Sequence, residues 1–280
     1  MICLTGDIHH QSLRTGNQLA SDQSEARLAV EAMDIALEHD VRLTYFLTGR
    51  LVSEDPQTCA RFADQPTVEI GGHNYWCFEP KVLHRIWNKF TGDYGGPRLW
   101  QKFDTEQTIR VINQRLGREV RSWRNHMYMH GPQIDEVLKD AGVEICSDGV
   151  ERDCIAPRMH SSGLWHMPIN VIPDHEHLYH AERTPKWVAE WVRRYNWSDD
   201  FGSESYFVDE WARRVIRGVE ENEARGVHSM IIIHPITMYL CDGFSAYRRI
   251  VKALSRYQSA TVSELLDLTR SKTEKERYCA

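Results

Sequence analysis

Ionisable side chains recur along this sequence at the points where short apolar runs end. Five such runs are followed by residues 7–10, His73, residues 124–126, Asp148 and His234. A carboxylate and imidazoles brought to one place can bind a divalent metal, activate water or transfer a proton. The repeated placement predicts one chemical site, assembled from residues that are far apart in the chain.

The first of these segments is Asp7-Ile8-His9-His10. Alternate residues of a strand point the same way, so Asp7 and His9 are expected to share a face while His10 opposes them. The carboxylate and the imidazole could bind a metal or activate water. They could equally close the strand end and cap a turn.

The second segment carries His73 and, four residues later, Cys77. Two glycines precede His73, and we expect them to let the backbone come close to whatever occupies the site. We predict His73 as a metal ligand. Cys77 could be a thiolate ligand of zinc, but a small buried thiol beside Trp76 and Phe78 is the favoured interpretation.

Arg124 and His234 complete the predicted catalytic residues. An arginine at the end of a buried strand needs a partner, and Asp7 is the natural one, because the guanidinium would orient the carboxylate and keep it ionised. A purely structural salt bridge is the alternative. His234 precedes Pro235 and could act as a general acid, or it could be a core histidine with satisfied hydrogen bonds. His126 stays open as a site residue or a loop residue.

Two further segments are rich in functional side chains. Residues 174–180 (DHEHLYH) combine Asp174 and His180 with other imidazoles, which is compatible with a second site, a lid over the first site or a solvated loop. Residues 86–103 place Tyr94 and Trp100 among glycines. Aromatic rings in such a loop are candidates for stacking on a sugar ring.

The elements that must position these residues alternate along the chain. β-Branched apolar runs predict strands at residues 2–5, 43–47, 68–70, 120–123, 143–146, 164–170 and 230–233. Periodicity predicts helices at residues 25–39, 53–63, 105–116, 133–141, 209–223 and 246–257, and a last short helix capped by Ser263. This alternation implies a parallel sheet covered by helices, and seven or eight units favour a distorted (β/α) barrel.

The domain organisation is predicted to be simple. Residues 1–280 are expected to form a single catalytic domain. Residues 86–103 and 173–207 interrupt the alternation, and we interpret them as long loops or inserted helices on the face that carries the site. The tail from Thr273 is expected to fray.

Composition narrows the class of function. Hydrophobic residues make up 41% and charged residues 26%, which allows a well-filled core. A net charge of −6 argues against a nucleic-acid or anionic-membrane binder. The seven cysteines, Cys279 among them, form no CxxC pair, and no apolar run approaches the ~18 residues of a membrane span. We therefore expect a cytoplasmic protein with free thiols, and assembly into a homo-oligomer stays open.

The order of these motifs resembles the polysaccharide deacetylase (NodB-type) family, carbohydrate esterase family four, from Ile2 to about Leu268. LTGDIHH resembles the first motif, with Asp7 in the place of the base and His9 in the place of a metal-binding carboxylate. GGHNYWC keeps the first histidine of an HxxxH pair as His73 and has a cysteine in the second place.

Three later segments extend the resemblance. WRNHMY resembles the arginine motif, so Arg124 matches while His126 replaces a proline. WHMPINVIPD resembles the segment that lines the acyl pocket, around Trp165 and Pro168. IIIHPITM resembles the last motif, whose histidine is the catalytic acid, and this implies that role for His234.

The resemblance implies a metal-dependent hydrolase that removes an N-acyl group, first of all N-acetyl, from a sugar or sugar conjugate. Asp7 would take a proton from water, and His234 would protonate the nitrogen. The metal ligands would be His9 and His73, with the third ligand left open between Cys77 and Asp7, and such a softer, nitrogen-rich site would favour zinc over magnesium. The resemblance also leaves open another amide hydrolase, such as a deformylase or ureide hydrolase, and a non-catalytic carbohydrate-binding relative.

Overall fold

One sheet of eight strands forms the centre of the protein in a computed structural model, which describes residues 1–181 and 183–278, with side chains as far as Lys272. The strands are β1 (Ile2–Ile8), β2 (Leu43–Leu47), β3 (Val68–Gly72), β4 (Ser122–Trp123), β5 (Ile145–Cys146), β6 (Arg158–Met159), β7 (Trp165–His166) and β8 (Ser229–Ile232). Their order in the sheet is β6-β7-β5-β4-β3-β2-β1-β8. Only the β6–β7 pair among these is antiparallel.

Helices connect and cover the strands. They are α1 (Gly16–Ala20), α2 (Glu25–Leu37), α3 (Gly49–Glu54), α4 (Pro56–Ala63), α5 (Lys81–Thr91), α6 (Arg98–Leu116), α7 (Ile134–Asp140), α8 (Asp174–His177), α9 (Pro185–Tyr195), α10 (Val208–Ala224), α11 (Pro235–Asp242), α12 (Ser245–Leu254) and α13 (Val262–Tyr278). Among the described helices, none is long and apolar enough to cross a bilayer.

The period of two along each strand divides the core into two layers. In β1, Ile2 and Leu4 belong to the large apolar cluster between the sheet and the helices. Cys3 points to the other face and packs with Met230 and Ile232 in a smaller cluster inside the curved sheet. The parity of the strands therefore decides which polar residues reach the interior.

Helix α13 closes the end of the sheet where the strands begin. Leu265 and Leu266 of this helix belong to the inner apolar cluster. The backbone N–H of Val262 donates to Thr44 Oγ1 over 3.0 Å. The opposite end, where the parallel strands finish, is left to the loops that carry the ionisable residues.

The sheet curls into a half-barrel, and Asn170 joins its two sides. The backbone N–H of Asn170 donates to the carbonyl of Met230 over 3.3 Å, and Met230 N–H donates to Asn170 Oδ1 over 2.8 Å. The backbone and the side chain of Asn170 therefore make the hydrogen bonds that link β8 to the segment after β7, where no continuous strand pairing is formed. This arrangement confirms the distorted NodB-type (β/α) barrel as the fold class.

Most predicted elements are confirmed, with differences at the edges. Each predicted strand overlaps an observed one, but residues 164–170 contain only the two-residue β7, and β6 was not predicted. The helix predicted at 53–63 is two helices, because Asp55 ends α3 and caps α4 through Thr58 N–H. The helix predicted at 105–116 begins earlier, at Arg98.

The last helix also differs from its prediction. Thr261, not Ser263, forms the cap, since its hydroxyl accepts from Glu264 N–H while Glu264 Oε2 accepts from Thr261 N–H. The helix is long rather than short, and its backbone continues to Tyr278, so the described part of the tail is helical. Cys279 lies outside the described residues.

Candidate active site

Asp7 and Arg124 form a buried ion pair inside the half-barrel, as the sequence predicted. Arg124 Nη1 donates to Asp7 Oδ1 over 2.9 Å, and both side chains are almost fully buried. Other N–H groups of the same guanidinium donate to Thr5 Oγ1 and to the backbone carbonyl and side-chain hydroxyl of Ser147. The ring of Phe46 lies 4.5 Å below the guanidinium. Such a planar arginine, held by four hydrogen bonds, binds one carboxylate oxygen and leaves the other to face His73.

Three imidazoles converge beside this pair. His9 Nε2 lies 3.1 Å from His73 Nε2 and 3.2 Å from His126 Nδ1. Asp7 Oδ2 lies 3.8 Å from His73 Nε2. The structure thus brings both predicted ligands together and adds His126, which the sequence had left open.

His73 and His9 each have one ring nitrogen that faces the cluster and one that is hydrogen-bonded outside it. The partner of the outer nitrogen decides whether the inner nitrogen carries a proton or a lone pair. His73 Nδ1 lies 2.8 Å from the carbonyl of Arg124, which can only accept, so Nδ1 carries the proton. Burial lowers the pKa of His73 well below its ordinary value, so the ring is neutral and Nε2 is a lone pair. This is the tautomer that a metal ligand requires.

His9 is oriented in the same way by a carboxylate. Glu25 Oε1 lies 2.8 Å from His9 Nδ1, and Gln18 Nε2 donates to Glu25 Oε2 over 2.8 Å. Burial alone would raise the pKa of Glu25, but His9 and the bonds from His9 and Gln18 lower it, so the group is ionised. His9 Nε2 is therefore directed at His73 Nε2, 3.1 Å away, where the two nitrogens could share a cation.

The donor set fits a divalent metal. Two ligands that are bound at about 2.1 Å stand about 3.0–3.4 Å apart for bond angles of about 90–110°. The separations of 3.1 Å between His9 and His73 and of 3.2 Å between His9 and His126 lie in this range. The donor atoms of His9, His126 and Cys77 all lie within 4.8 Å of one another. This thiol is fully buried and burial raises its pKa, so it combines the position of a ligand with the environment of a core residue.

His234 lies on the other side of the imidazole cluster and is paired with Asp174. Its ring is nearly parallel to that of His9, with centroids 6.2 Å apart. His234 Nδ1 lies 2.8 Å from Asp174 Oδ1, and His234 N–H donates to Asp174 Oδ2 over 2.7 Å. Burial lowers the pKa of His234, but the charge and hydrogen bond of Asp174 outweigh it and raise the pKa to about 9. A protonated imidazole at neutral pH is a proton donor.

The segment 174–180 contributes to this site rather than forming a separate one. Asp174 is its buried carboxylate, and the His175 ring lies 5.7 Å from that of His234. His177 turns away and pairs with Asp199, and His180 Nδ1 lies 2.9 Å from Asn17 Oδ1. On the opposite side, His10 faces Thr48 Oγ1 at 3.2 Å, as the strand parity predicts.

The predicted substrate residues lie in different places. Trp165 packs inside the half-barrel with α13, and Arg270 of that helix lies 6.0 Å from its ring, so the structure does not bring Trp165 to the imidazoles. Pro168 is buried two residues beyond β7. Trp100 lies in the first turn of α6 and lines a small cavity with Asn74 and Asn125, the residues next to His73 and His126. Substrate binding by Trp165, Pro168 and Trp100 stays a prediction.

The glycine pair before His73 has a packing role in the barrel wall. A Cβ at Gly72 would lie 2.2 Å from the ring of Trp123, and one at Gly71 would lie 2.4 Å from Phe46. The glycines therefore make room for two aromatic side chains of the barrel wall. That they let the backbone come close to whatever occupies the site stays a prediction.

Two residues of the candidate site that the sequence analysis did not identify lie on helices. Glu25 and Gln18 orient the cluster from helices α2 and α1, not from strand ends. In the sequence Glu25 resembles an ordinary acidic residue in the first turn of a helix. Its fully buried position in the structure is the feature that marks it.

The fold is that of solved polysaccharide deacetylases. A candidate polysaccharide deacetylase from Mycobacterium smegmatis is similar over 97% of this chain and 91% of its own, with a TM-score of 0.71 and 13% identity. The PuuE allantoinase is similar over 96% of this chain and 89% of its own, with a TM-score of 0.62 and 11% identity. At such identities the likeness shows the fold.

A third similar structure is a pseudoenzyme of carbohydrate esterase family four from Bacillus anthracis. It covers 95% of this chain and 65% of its own, with a TM-score of 0.50 and 16% identity. The sequence itself matches no model of a protein family and no curated protein.

Proposed function

We propose that this protein is a zinc-dependent amide hydrolase that removes an N-acyl group, first of all N-acetyl, from a sugar or sugar conjugate. The observation that carries the proposal is the convergence of three imidazole nitrogens, His9, His73 and His126, beside the arginine-held carboxylate of Asp7. A ligand set rich in nitrogen favours zinc over magnesium. A bound zinc ion would polarise the acyl carbonyl and make its water more acidic.

Asp7 supplies the base in this proposal. Arg124 occupies Oδ1, while Oδ2 is 3.8 Å from His73 Nε2 and thus faces the place where water would be held. A carboxylate in this position can take a proton from the attacking water. Arg124 orients the carboxylate and offers it a positive partner within a buried environment.

His234 supplies the acid. Its protonated ring lies across the imidazole cluster from Asp7 and is held by Asp174 through both the ring and the backbone. Expulsion of an amine requires a proton on nitrogen, which a histidine with a raised pKa provides at neutral pH. The acid and the base are separate residues held by separate partners, which is the arrangement that amide hydrolysis needs.

The substrate is proposed from the similar structures and the aromatic loop. Two of the similar proteins are named for polysaccharide deacetylation or family four, and Trp100 stands beside the loops that carry His73 and His126. An aromatic ring there suits stacking on a sugar ring. We further propose a cytoplasmic location, which would favour a small or lipid-linked sugar over a mature wall polymer.

A ureide or other amide hydrolase is the second candidate, because the PuuE allantoinase has the same fold. A non-catalytic relative is the third, since one similar structure is a pseudoenzyme and Cys77 stands where the family has histidine. The paired Asp7–Arg124 and Asp174–His234 support an enzyme, because a binding protein needs neither a base nor an acid.

The test is metal analysis followed by a matched activity screen. Metal-free protein reconstituted with zinc, cobalt or nickel would be assayed for acetate release from N-acetyl sugars and oligosaccharides, and in parallel for hydrolysis of allantoin and N-formyl compounds. We expect metal-dependent acetate release that His9→Ala abolishes. Hydrolysis of allantoin alone would select the second candidate. A protein that binds metal but hydrolyses none of these, with intact binding of sugars, would contradict the enzyme.

A further inference from the structure

A second cluster of metal-binding side chains lies on the outer face of the sheet. His130 follows β4, Asp135 stands in the first turn of α7, and His166 belongs to β7. We call His130, Asp135 and His166 the outer cluster. His166 alternates with Trp165 and Met167, whose side chains pack inside the half-barrel, so it points to the outer face.

The outer cluster has the spacing of a coordination sphere. Asp135 Oδ1 lies 2.9 Å from His166 Nε2 and 3.1 Å from His130 Nε2. One donor atom from each of the three residues lies within 4.8 Å of the other two. Ligands bound to one ion at about 2.1 Å stand about 3.0–3.4 Å apart, so the two short separations are close to those of a shared metal.

These contacts do not have the geometry of hydrogen bonds. Asp135 Oδ1 and His166 Nε2 are buried, yet neither makes a hydrogen bond within the described part of the chain, although they lie 2.9 Å apart. Buried polar atoms are nearly always satisfied, and an unsatisfied pair calls for an unplaced partner. A cation between the lone pairs would satisfy both atoms.

A second carboxylate orients the cluster and adds negative charge. Asp148 Oδ2 lies 2.9 Å from His130 Nδ1, so this carboxylate orients the ring and turns Nε2 toward Asp135 Oδ1, 3.1 Å away. Asp148 and Asp135 are both buried beside His130, and two buried carboxylates require a positive partner. A divalent cation would balance both charges.

We propose that the outer cluster binds a second divalent transition metal, with zinc as the natural occupant. Two imidazoles and a carboxylate suit zinc, cobalt or nickel, whereas magnesium and calcium prefer oxygen ligands. His160 Nδ1 lies 2.8 Å from Asp135 Oδ2, the carboxylate oxygen that does not face the other two residues of the outer cluster, and it would help to orient Asp135. This site does not depend on the proposed hydrolase and would exist in a non-catalytic protein.

The expected role of this metal is structural. It would tie strand β7 to helix α7 and to the loop after β4. That loop also carries His126, and Asp148 accepts hydrogen bonds from the backbone and side chain of Asn125, the preceding residue. The outer metal would thus stabilise the loop from which the active site takes one of its imidazoles.

The experiment is zinc stoichiometry measured on four proteins that have been stripped with chelator, reloaded with zinc chloride and gel filtered. They are the wild type, His166→Ala, the double variant His9→Ala/His73→Ala, and His39→Ala as a control from outside both clusters. We expect two zinc ions in the wild type and the control, and one in each of the other proteins. Anomalous scattering at the zinc edge would locate the remaining ion.

Other outcomes separate the two sites. One ion in the wild type and none in His166→Ala would support the outer site while removing the metal from the proposed active site. An unchanged count in His166→Ala, with none left in the double variant, would overturn the outer site. Asp135→Asn serves as a second variant in case His166→Ala does not fold, and the melting temperature of each protein is measured with and without zinc. We expect zinc to raise it in the wild type by more than in Asp135→Asn.

Discussion

Glu25 Oε1 lies 2.8 Å from the ring Nδ1 of His9 and 3.1 Å from its backbone nitrogen, so one carboxylate on α2 holds both the imidazole and the strand end. A carboxylate behind a histidine ligand fixes the tautomer and makes the ring a better donor. The relationship joins a helix on the outside of the sheet to the chemical centre inside it. Function in this fold therefore depends on residues beyond the strand ends.

Glu25→Gln is expected to weaken zinc binding about 10- to 100-fold, because the loss of an outer partner of a histidine ligand has effects of this size. The measurement is a competition titration against a chelator of known affinity. Glu31→Gln is the matched control, since Glu31 is an exposed residue of the same helix. Equal affinities in the two variants would show that Glu25 does not act through His9.

Asp7→Asn is expected to reduce turnover by about 100-fold or more, since it removes the proposed base. It should also cost on the order of 3–5 kcal/mol of unfolding free energy, because it leaves the buried charge of Arg124 without its carboxylate. Urea denaturation and steady-state kinetics measure the two effects.

The control for this variant is Asp34→Asn. Asp34 pairs with Arg61 at 3.5 Å, but both side chains are more than half exposed, so the loss should be below about 1 kcal/mol. If Asp7→Asn were as stable as this control, the Asp7–Arg124 pair would not be the buried ion pair described above.

The pH profile should depend on the Asp174–His234 pair. His234 must be protonated to act, and its pKa of about 9 predicts that turnover stays level near neutrality and falls as pH rises through about 9. A bound divalent ion would lower this pKa and move the limb to lower pH. Asp174→Asn removes the charge that outweighs burial, so the fall in turnover should move to lower pH. If turnover fell at the same pH in Asp174→Asn as in the wild type, the fall would be due to another group.

The same pair should make stability depend on pH. Because folding raises the pKa of His234, the stabilisation is complete below about 6.5 and is lost as pH rises through about 9. Urea denaturation of the metal-free protein at several pH values measures it. The loss should be smaller in Asp174→Asn and unchanged in Asp209→Asn, whose exposed carboxylate pairs only with Arg249 among the described residues.

Gly72→Ala should destabilise the protein by about 1–3 kcal/mol or more, because its Cβ would lie 2.2 Å from the Trp123 ring in a tightly packed wall. Thermal unfolding of the metal-free protein measures this without the influence of ligands. Gly218→Ala is the matched control, since Gly218 is helical and its nearest neighbour, Val171 Cγ1, is 3.7 Å away. That substitution should be neutral or stabilising by about 0.5–1 kcal/mol.

Local sequence patterns were sufficient to predict the fold class and the strand-end residues of the candidate site. Apolar runs and periodicity identified the strands, and the parity of β1 placed Asp7 inside and His10 away from it. The positions of Arg124 and His234 followed from their places at strand ends. These features could be predicted because the residues concerned are close together in sequence or repeat with the period of the element.

Tertiary structure decided the partners. Nothing in the sequence spacing joins Glu25 to His9, Asp174 to His234, or His166 to Asp135, since these pairs meet only when the sheet curls and the helices pack against it. The same packing took Trp165 to the end of the half-barrel that α13 covers. The sequence by itself determined which side chains stand at the strand ends. Long-range packing decided which of these side chains are hydrogen-bonded to each other and which face one another as possible ligands. The reason is that burial and the neighbour across the fold set both the tautomer and the charge of each group.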